Sequence, residues 1–327
     1  MADAGFILLG PWGRELFGAA QMTFLVFVMG SHILVFTIML NTLTDHSACS
    51  ILFALVGTGL SFLSSLPRTL RNVSYLAFGS FVSIIAAVAV TVAAAGKEWQ
   101  HPHLEAITEG VGLYRGFLSV TNIIFAYAGH VAFFGFMSEM RHPEEYAKAL
   151  YLLQGVDTGM YLLVAVLCYV FSGPTVPSPA LSSTGPLVQK VAYGLAIPTI
   201  VVSGVINGHV AAKYVYVRMF RGTDTMASGS WNSRLSWVGI VLVLWVLAWV
   251  IAEAIPVFND LLGVISALFA SWFTYGLSGV FWLYMNWGSY TKTRRKLLLT
   301  GVNVVVFTFG AVIVSSLASI IEKNGLC

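Results

Sequence analysis

Residues 116–140 of the chain read GFLSVTNIIFAYAGHVAFFGFMSEM. No charged side chain occurs in this stretch before Glu139, and the residues are apolar on all sides. About 20 such residues cross ~30 Å of hydrocarbon as an α-helix that rises 1.5 Å per residue. A membrane-spanning strand would instead alternate polar and apolar residues. The stretch therefore predicts a transmembrane helix.

Eight further stretches of the same kind predict an all-α membrane protein with nine spans, in one transmembrane domain over residues 1–327. The predicted spans are roughly 17–40, 47–66, 73–95, 115–138, 148–171, 193–212, 235–254, 261–284 and 298–320. The chain is 57% hydrophobic and only 9% charged, whereas soluble domains contain about 25% charged residues. This composition excludes a cytosolic enzyme, a nucleic-acid-binding protein and a disordered chain. The expected surroundings are a lipid bilayer.

The positive charges in the loops predict the orientation. If successive spans cross the membrane in opposite directions, 13 of the 17 lysines and arginines face one side of the membrane. The other side holds Lys97, Arg115, Lys190 and Lys323. Lysine and arginine are enriched in cytoplasmic loops. The prediction is an N-terminus in the cytoplasm and a C-terminus outside it.

The sequence contains none of the motifs GxSxG, HExxH or GxxxxGK[ST]. Three scattered cysteines do not make a metal site. The chain is therefore expected to be neither an enzyme nor a binder of metals or organic cofactors.

The middle of the fourth span predicts an interrupted helix. Tyr127, Ala128, Gly129 and His130 fall there, and glycine destabilises a helix interior by about 1 kcal/mol relative to alanine. A break frees backbone N–H and C=O groups, which secondary transporters use to hold a substrate and its coupling ion. The alternative is that Gly129 only allows close helix packing while His130 bonds a neighbouring carbonyl.

Other polar residues inside predicted spans are also candidates, because such residues are costly in hydrocarbon. Asp157 would bind a proton, pair with a histidine, remain a neutral hydrogen-bonded acid or line a water-filled vestibule. Thr199 and Ser203 share a helix face, so they would coordinate a cation or bond carbonyls of their own helix. His32 would relay a proton or simply pack.

The run of residues 125–150 resembles the amino acid/auxin permease family, and within it the fungal neutral amino-acid permeases. Further segments resemble the family in the same order along nearly the whole chain. They are Gly13–Glu15, Met29–His32, Leu153–Tyr161, Pro177–Ala180, Lys190–Gly194, Lys213–Arg221 and Ile251–Trp272.

The resemblance implies the leucine-transporter fold, which has two inverted repeats of five helices and one extra span. It also implies amino-acid uptake driven by a cation gradient, with H⁺ as the expected ion and Na⁺ as the alternative. By matching positions, Phe125, Ala126 and the residues up to His130 would line the substrate site, together with His32. Thr199 and Ser203 would border the ion site.

Family members have eleven spans, and the nine found here match the third to the eleventh. We therefore expect a chain that is incomplete at its N-terminus. The predicted function is secondary active transport of neutral amino acids by symport with alternating access, in a plasma or vacuolar membrane. The alternatives are a transport-inactive or regulatory homologue on the same fold, and a channel or receptor.

Overall fold

The computed structural model describes residues 1–68, 73–97, 104, 113–223, 230–289 and 293–323. Every regular element in these residues is helical, which confirms the predicted all-α membrane fold. The helices are α1 (Ala2–Leu43), α2 (Ser50–Ser64), α3 (Val73–Lys97), α4 (Leu113–Ala126), α5 (His130–Glu139), α6 (Tyr146–Ser172), α7 (Pro186–Phe220), α8 (Trp231–Ala254), α9 (Phe258–Ile265), α10 (Leu277–Met285) and α11 (Arg294–Lys323). Two π-helical turns, Ser266–Ala270 and Trp272–Gly276, join α9 to α10.

Each predicted span coincides with helical structure. Seven segments of the described chain have the length and hydropathy of a membrane span. The short helix α2 has 15 residues, fewer than a usual span. The chain is thus an integral multi-pass membrane protein, and the count of nine spans remains a prediction.

A sharp bend divides α1 near its start. Gly10 has φ 66° and ψ −150°, a backbone conformation that glycine adopts without steric penalty. Pro11 follows it and has no N–H to donate to the carbonyl four residues earlier in the helix. The first helical segment consequently folds back, and Asp3 pairs with Arg14 at 2.9 Å.

The chain folds as two compact units, and the larger comprises residues 25–108 and 140–258. Its core is built around Trp245, which is fully buried. A Cβ added to Gly208 would lie 3.1 Å from the Trp245 ring and 3.3 Å from Met29. Glycine at this position lets α1, α7 and α8 approach closely, as small residues do between membrane helices.

The C-terminal end of α2 is held by side chains from α7 and α8 of the same unit. Trp237 Nε1 donates to the carbonyl of Leu66 at 3.0 Å, and a ring nitrogen of His209 lies 2.9 Å from the carbonyl of Pro67. Trp245 Nε1 donates to Ser65 Oγ at 3.1 Å. These bonds satisfy backbone and hydroxyl groups that the helix end cannot satisfy alone.

The smaller unit comprises residues 1–24, 109–139 and 259–327. In it α11 packs along the segment from the π-helical turns to α10. A Cβ on Gly279 would lie 2.6 Å from the carbonyl oxygen of Asn303, and one on Gly310 would lie 2.7 Å from the backbone nitrogen of Gly276. Backbone contact this close leaves room only for glycine at both positions.

Candidate functional site

The fourth predicted span is broken at the position predicted from the sequence, between Ala126 and His130. Helix α4 ends at Ala126 and α5 begins at His130. Across the break, Tyr127 N–H bonds Ile124, Ala128 N–H bonds Phe125, and Gly129 N–H bonds Tyr127. These bonds reach back two or three residues instead of four. The regular helix ladder is therefore interrupted, and the N-terminal N–H groups of α5 have no partner within that helix.

Two aromatic rings mark the start of α5. The His130 ring lies 4.8 Å from the Phe133 ring, centroid to centroid. His130 Nδ1 is buried and has no hydrogen-bond partner among the described residues. A Cβ on Gly129 would lie 3.2 Å from the Phe133 ring. Position 129 thus has little room for a larger side chain.

The two π-helical turns run beside this break within the smaller unit. Ser266–Ala270 packs on α4, and Trp272–Gly276 packs on α5. In the same unit, Asn122 Nδ2 of α4 donates to Asn259 Oδ1 at 3.0 Å. π-helical turns often occur at functional sites. The sequence of residues 266–276 does not predict these turns, because no charge, proline or motif distinguishes it.

His32 lies in the larger unit, half-buried on α1. A Cβ on Gly204 would lie 3.1 Å from the His32 Cβ and 3.4 Å from its Cγ. Gly204 directly follows Ser203 on α7. His32 therefore packs against α7 at Gly204, one residue after Ser203, which was predicted to border an ion.

The other hydroxyl residue has a partner on a different helix. Thr199 Oγ1 donates to the carbonyl of Ser80 on α3 and lies 3.5 Å from Ser83 Oγ. Ser83 Oγ itself donates to the carbonyl of Leu195 on α7. Pro198 lacks an N–H, so α7 cannot complete its own ladder there. Hydroxyl groups of α3 and α7 join the two helices at this point.

Asp157 is half-buried on α6 and has no hydrogen bond or ion pair with the described residues. Helix α6 packs on α3 in the larger unit. The predicted site residues thus fall in two sets. Phe125 to His130 belong to the smaller unit, and the larger unit holds His32, Asp157, Thr199 and Ser203.

Comparison with known proteins finds one family model and several similar transport proteins. The family model described as "Transmembrane amino acid transporter protein" matches residues 2–321. The "N amino acid transport system protein" of Neurospora crassa is 35% identical over 319 residues, covering 94% of this chain and 68% of that protein. Two proteins called "Transmembrane transporter", from Gibberella moniliformis and Fusarium pseudograminearum, are 31% and 29% identical. Both matches cover 95% of this chain and 67% of the relative.

The family match spans nearly the whole chain. It confirms the resemblance noted in the sequence and the expectation of a transporter rather than an enzyme. The chain belongs to the transmembrane amino acid transporter family.

Proposed function

We propose that this chain moves neutral amino acids across a membrane by symport with a cation, through alternating access. The observation that carries the proposal is the helix break from Tyr127 to Gly129, at the middle of a predicted span. The name of the Neurospora crassa relative supports amino acids as the cargo. Neutral specificity is consistent with the described part of the break, which holds no carboxylate or ammonium side chain to pair with a charged substrate side chain.

The break has the chemistry to hold both ends of a zwitterion. N–H groups at the start of α5 carry the positive end of that helix dipole, which favours the substrate carboxylate. Carbonyl groups near the end of α4 carry the negative end of the α4 dipole, which favours the substrate ammonium. His130 and Phe133 would then contact the substrate side chain.

For the coupling ion we propose H⁺ rather than Na⁺. Thr199 Oγ1 donates to the Ser80 carbonyl, so this hydroxyl has a role in joining α7 to α3 that needs no bound cation. Asp157 and His32 are groups that can bind a proton within predicted spans.

Uptake by the reconstituted full chain tests this function. Vesicles would be loaded at one pH and diluted into another, with labelled neutral, acidic or basic amino acids outside. We expect saturable uptake of neutral amino acids when the outside is acidic, and collapse of that uptake when a protonophore removes the gradient. Uptake that follows a Na⁺ gradient at equal pH would instead identify Na⁺ as the ion.

A transport-inactive or regulatory homologue would give a different result. Such a protein would bind a neutral amino acid, seen as increased thermal stability, without moving it into vesicles. For localisation we propose the plasma or vacuolar membrane, with the N-terminus in the cytoplasm. Fluorescence microscopy of the tagged chain beside markers for both membranes distinguishes them.

A further inference from the structure

One face of α11 forms a shallow groove of about 590 Å³. Leucine and valine side chains line most of it, with one arginine. The lining residues are Arg294, Leu297, Leu298, Gly301, Val302, Val305 and Val306. A Cβ built on Gly301 meets no atom within 4 Å, so this glycine leaves a notch in the floor of the groove.

The groove faces away from the rest of its unit. Asn303, Phe307 and Gly310 of α11 contact the segment from the π-helical turns to α10. These residues are about half a helical turn from Gly301 and Val305 on α11. The groove side chains are consequently exposed, with Leu298 and Val305 at 69% and 68%. In a membrane protein, an exposed apolar face of a spanning helix contacts lipid acyl chains.

Positive charge is concentrated at the Arg294 end of the groove. Arg294 and Arg295 are exposed and make no ion pair or hydrogen bond with the described residues. Lys296 is half-buried, and its Nζ donates to Ser289 Oγ at 3.0 Å. No acidic residue occurs between positions 261 and 321 of the sequence. The positive-inside count predicts that this end lies on the cytoplasmic side, where anionic lipids give the membrane its negative surface potential.

The length of the groove matches one leaflet. From Arg294 to Val306 the helix rises ~18 Å at 1.5 Å per residue, and half of a ~30 Å hydrocarbon core is about 15 Å. A lipid with its phosphate at Arg294 would therefore lay one acyl chain over Gly301 and reach the bilayer middle near Val306.

A second copy of this chain fits the groove less well. Copies in one membrane share an orientation, so a symmetric contact through this face would bring two Arg294 and two Arg295 side chains together at the same depth. Like charges repel, whereas a lipid phosphate attracts both arginines.

We infer that the groove on α11 is a binding site for an anionic phospholipid of the cytoplasmic leaflet. Arg294 and Arg295 bind its phosphate and headgroup carboxylate, and the notch at Gly301 accepts one acyl chain. The site lies outside the proposed substrate site.

The test is photo-crosslinking of the full chain in lipid nanodiscs. The probes are phosphatidylserine and phosphatidylcholine that carry a diazirine in one acyl chain. We expect phosphatidylserine to label the peptide containing residues 297–306 more strongly, and unlabelled phosphatidylserine to compete. The double variant Arg294→Gln/Arg295→Gln should reduce that labelling by about fivefold for each arginine, down to the phosphatidylcholine level.

Matched variants separate the site from general effects. Gly301→Leu fills the notch, at a position where an added Cβ meets no atom within 4 Å, and should abolish labelling of this peptide. Gly239→Leu, at another open glycine on α8, should not. Arg234→Gln removes an exposed arginine that stacks on Trp231 and should leave labelling unchanged. An unfolding temperature equal to that of the native chain shows that each variant is folded.

Three results would overturn the inference. One is equal labelling by the two lipids, and another is full labelling of the Arg294→Gln/Arg295→Gln variant. The third is efficient disulfide formation between two copies carrying Val302→Cys, which would make this face a contact between copies of the chain.

Discussion

His32 on α1 packs directly on the backbone of Gly204 on α7, and a Cβ on that glycine would lie only 3.1 Å from the His32 Cβ. The same Cβ would lie 3.4 Å from the ring of the buried Trp245. Three helices of the larger unit therefore meet at a position that has no side chain.

We expect Gly204→Val to destabilise the chain by about 1–3 kcal/mol, because the branched side chain overpacks the contact with His32 and Trp245. Thermal unfolding in detergent measures this loss. Gly239→Val on α8, where an added Cβ meets nothing within 4 Å, should lower the stability much less. Equal stability of the two variants would show that the α1–α7 contact is loose.

Gly129→Val should abolish uptake in a transport-competent preparation while leaving membrane insertion intact. The branched side chain would crowd the Phe133 ring and stiffen the backbone at the break. His130→Ala should weaken uptake or change its dependence on pH. Gly135→Val lies in the same span at an open position and serves as the control. Native uptake kinetics in both Gly129→Val and His130→Ala would mean that this span only packs.

Thr199→Val should lower stability by about 0.5–1.5 kcal/mol, because it removes the hydrogen bond that joins α7 to the Ser80 carbonyl of α3. Thr308→Val is the matched control, since Thr308 bonds only a carbonyl of its own helix and is exposed. Unfolding temperatures and uptake as a function of ion concentration are to be measured together. If Thr199 binds the coupling ion, the ion concentration for half-maximal uptake should rise as well; a change in stability alone assigns it to helix packing.

Trp245→Phe should lower the free energy of unfolding more than Trp249→Phe does, although both tryptophans are on α8. Trp245 Nε1 donates to Ser65 Oγ, whereas Trp249 Nε1 has no partner among the described residues. Losing a buried hydrogen bond costs about 1–3 kcal/mol when the partner stays unsatisfied. Unfolding curves of the two variants give the difference directly. A larger loss for Trp249→Phe would contradict the assigned bond at the end of α2.

The predicted orientation can be tested with a native cysteine. Cys49 is exposed between α1 and α2, on the outer side by the charge count. With Cys168 and Cys327 changed to serine, a membrane-impermeant maleimide should label Cys49 in intact cells. Labelling of Thr223→Cys, placed at the inner end of α7, should require permeabilised cells. Labelling of Thr223→Cys but not of Cys49 in intact cells would show that the orientation is the opposite of the predicted one.

Glycosylation gives an independent check of the same topology. The sequon Asn72-Val73-Ser74 is the only N-x-[ST] in the sequence. Its asparagine lies outside the described residues, in a loop that the charge count places in the cytoplasm. We expect no change of electrophoretic mobility after treatment with a glycosidase. A glycan on Asn72 would contradict the orientation.

The sequence by itself determined which segments are helical and where one of them breaks. In hydrocarbon a spanning segment must satisfy its own backbone hydrogen bonds, so length and apolar composition are enough to predict a helix. The break at Tyr127 to Gly129 was also readable locally, because a mid-span glycine weakens the helix at that point. The ordered motifs were sufficient to identify the family.

Only the tertiary structure decided which side chains meet. Thr199 bonds a carbonyl on α3 that lies 119 residues away, and Trp245 bonds Ser65 across 180 residues. The π-helical turns beside the break arise in a stretch that reads as an ordinary apolar helix. Apolar spans have similar sequences, because any face of a spanning helix can contact lipid. The partner of each face is therefore chosen by close packing at glycines such as Gly204 and by a few interhelical hydrogen bonds, and these exist only in the folded chain.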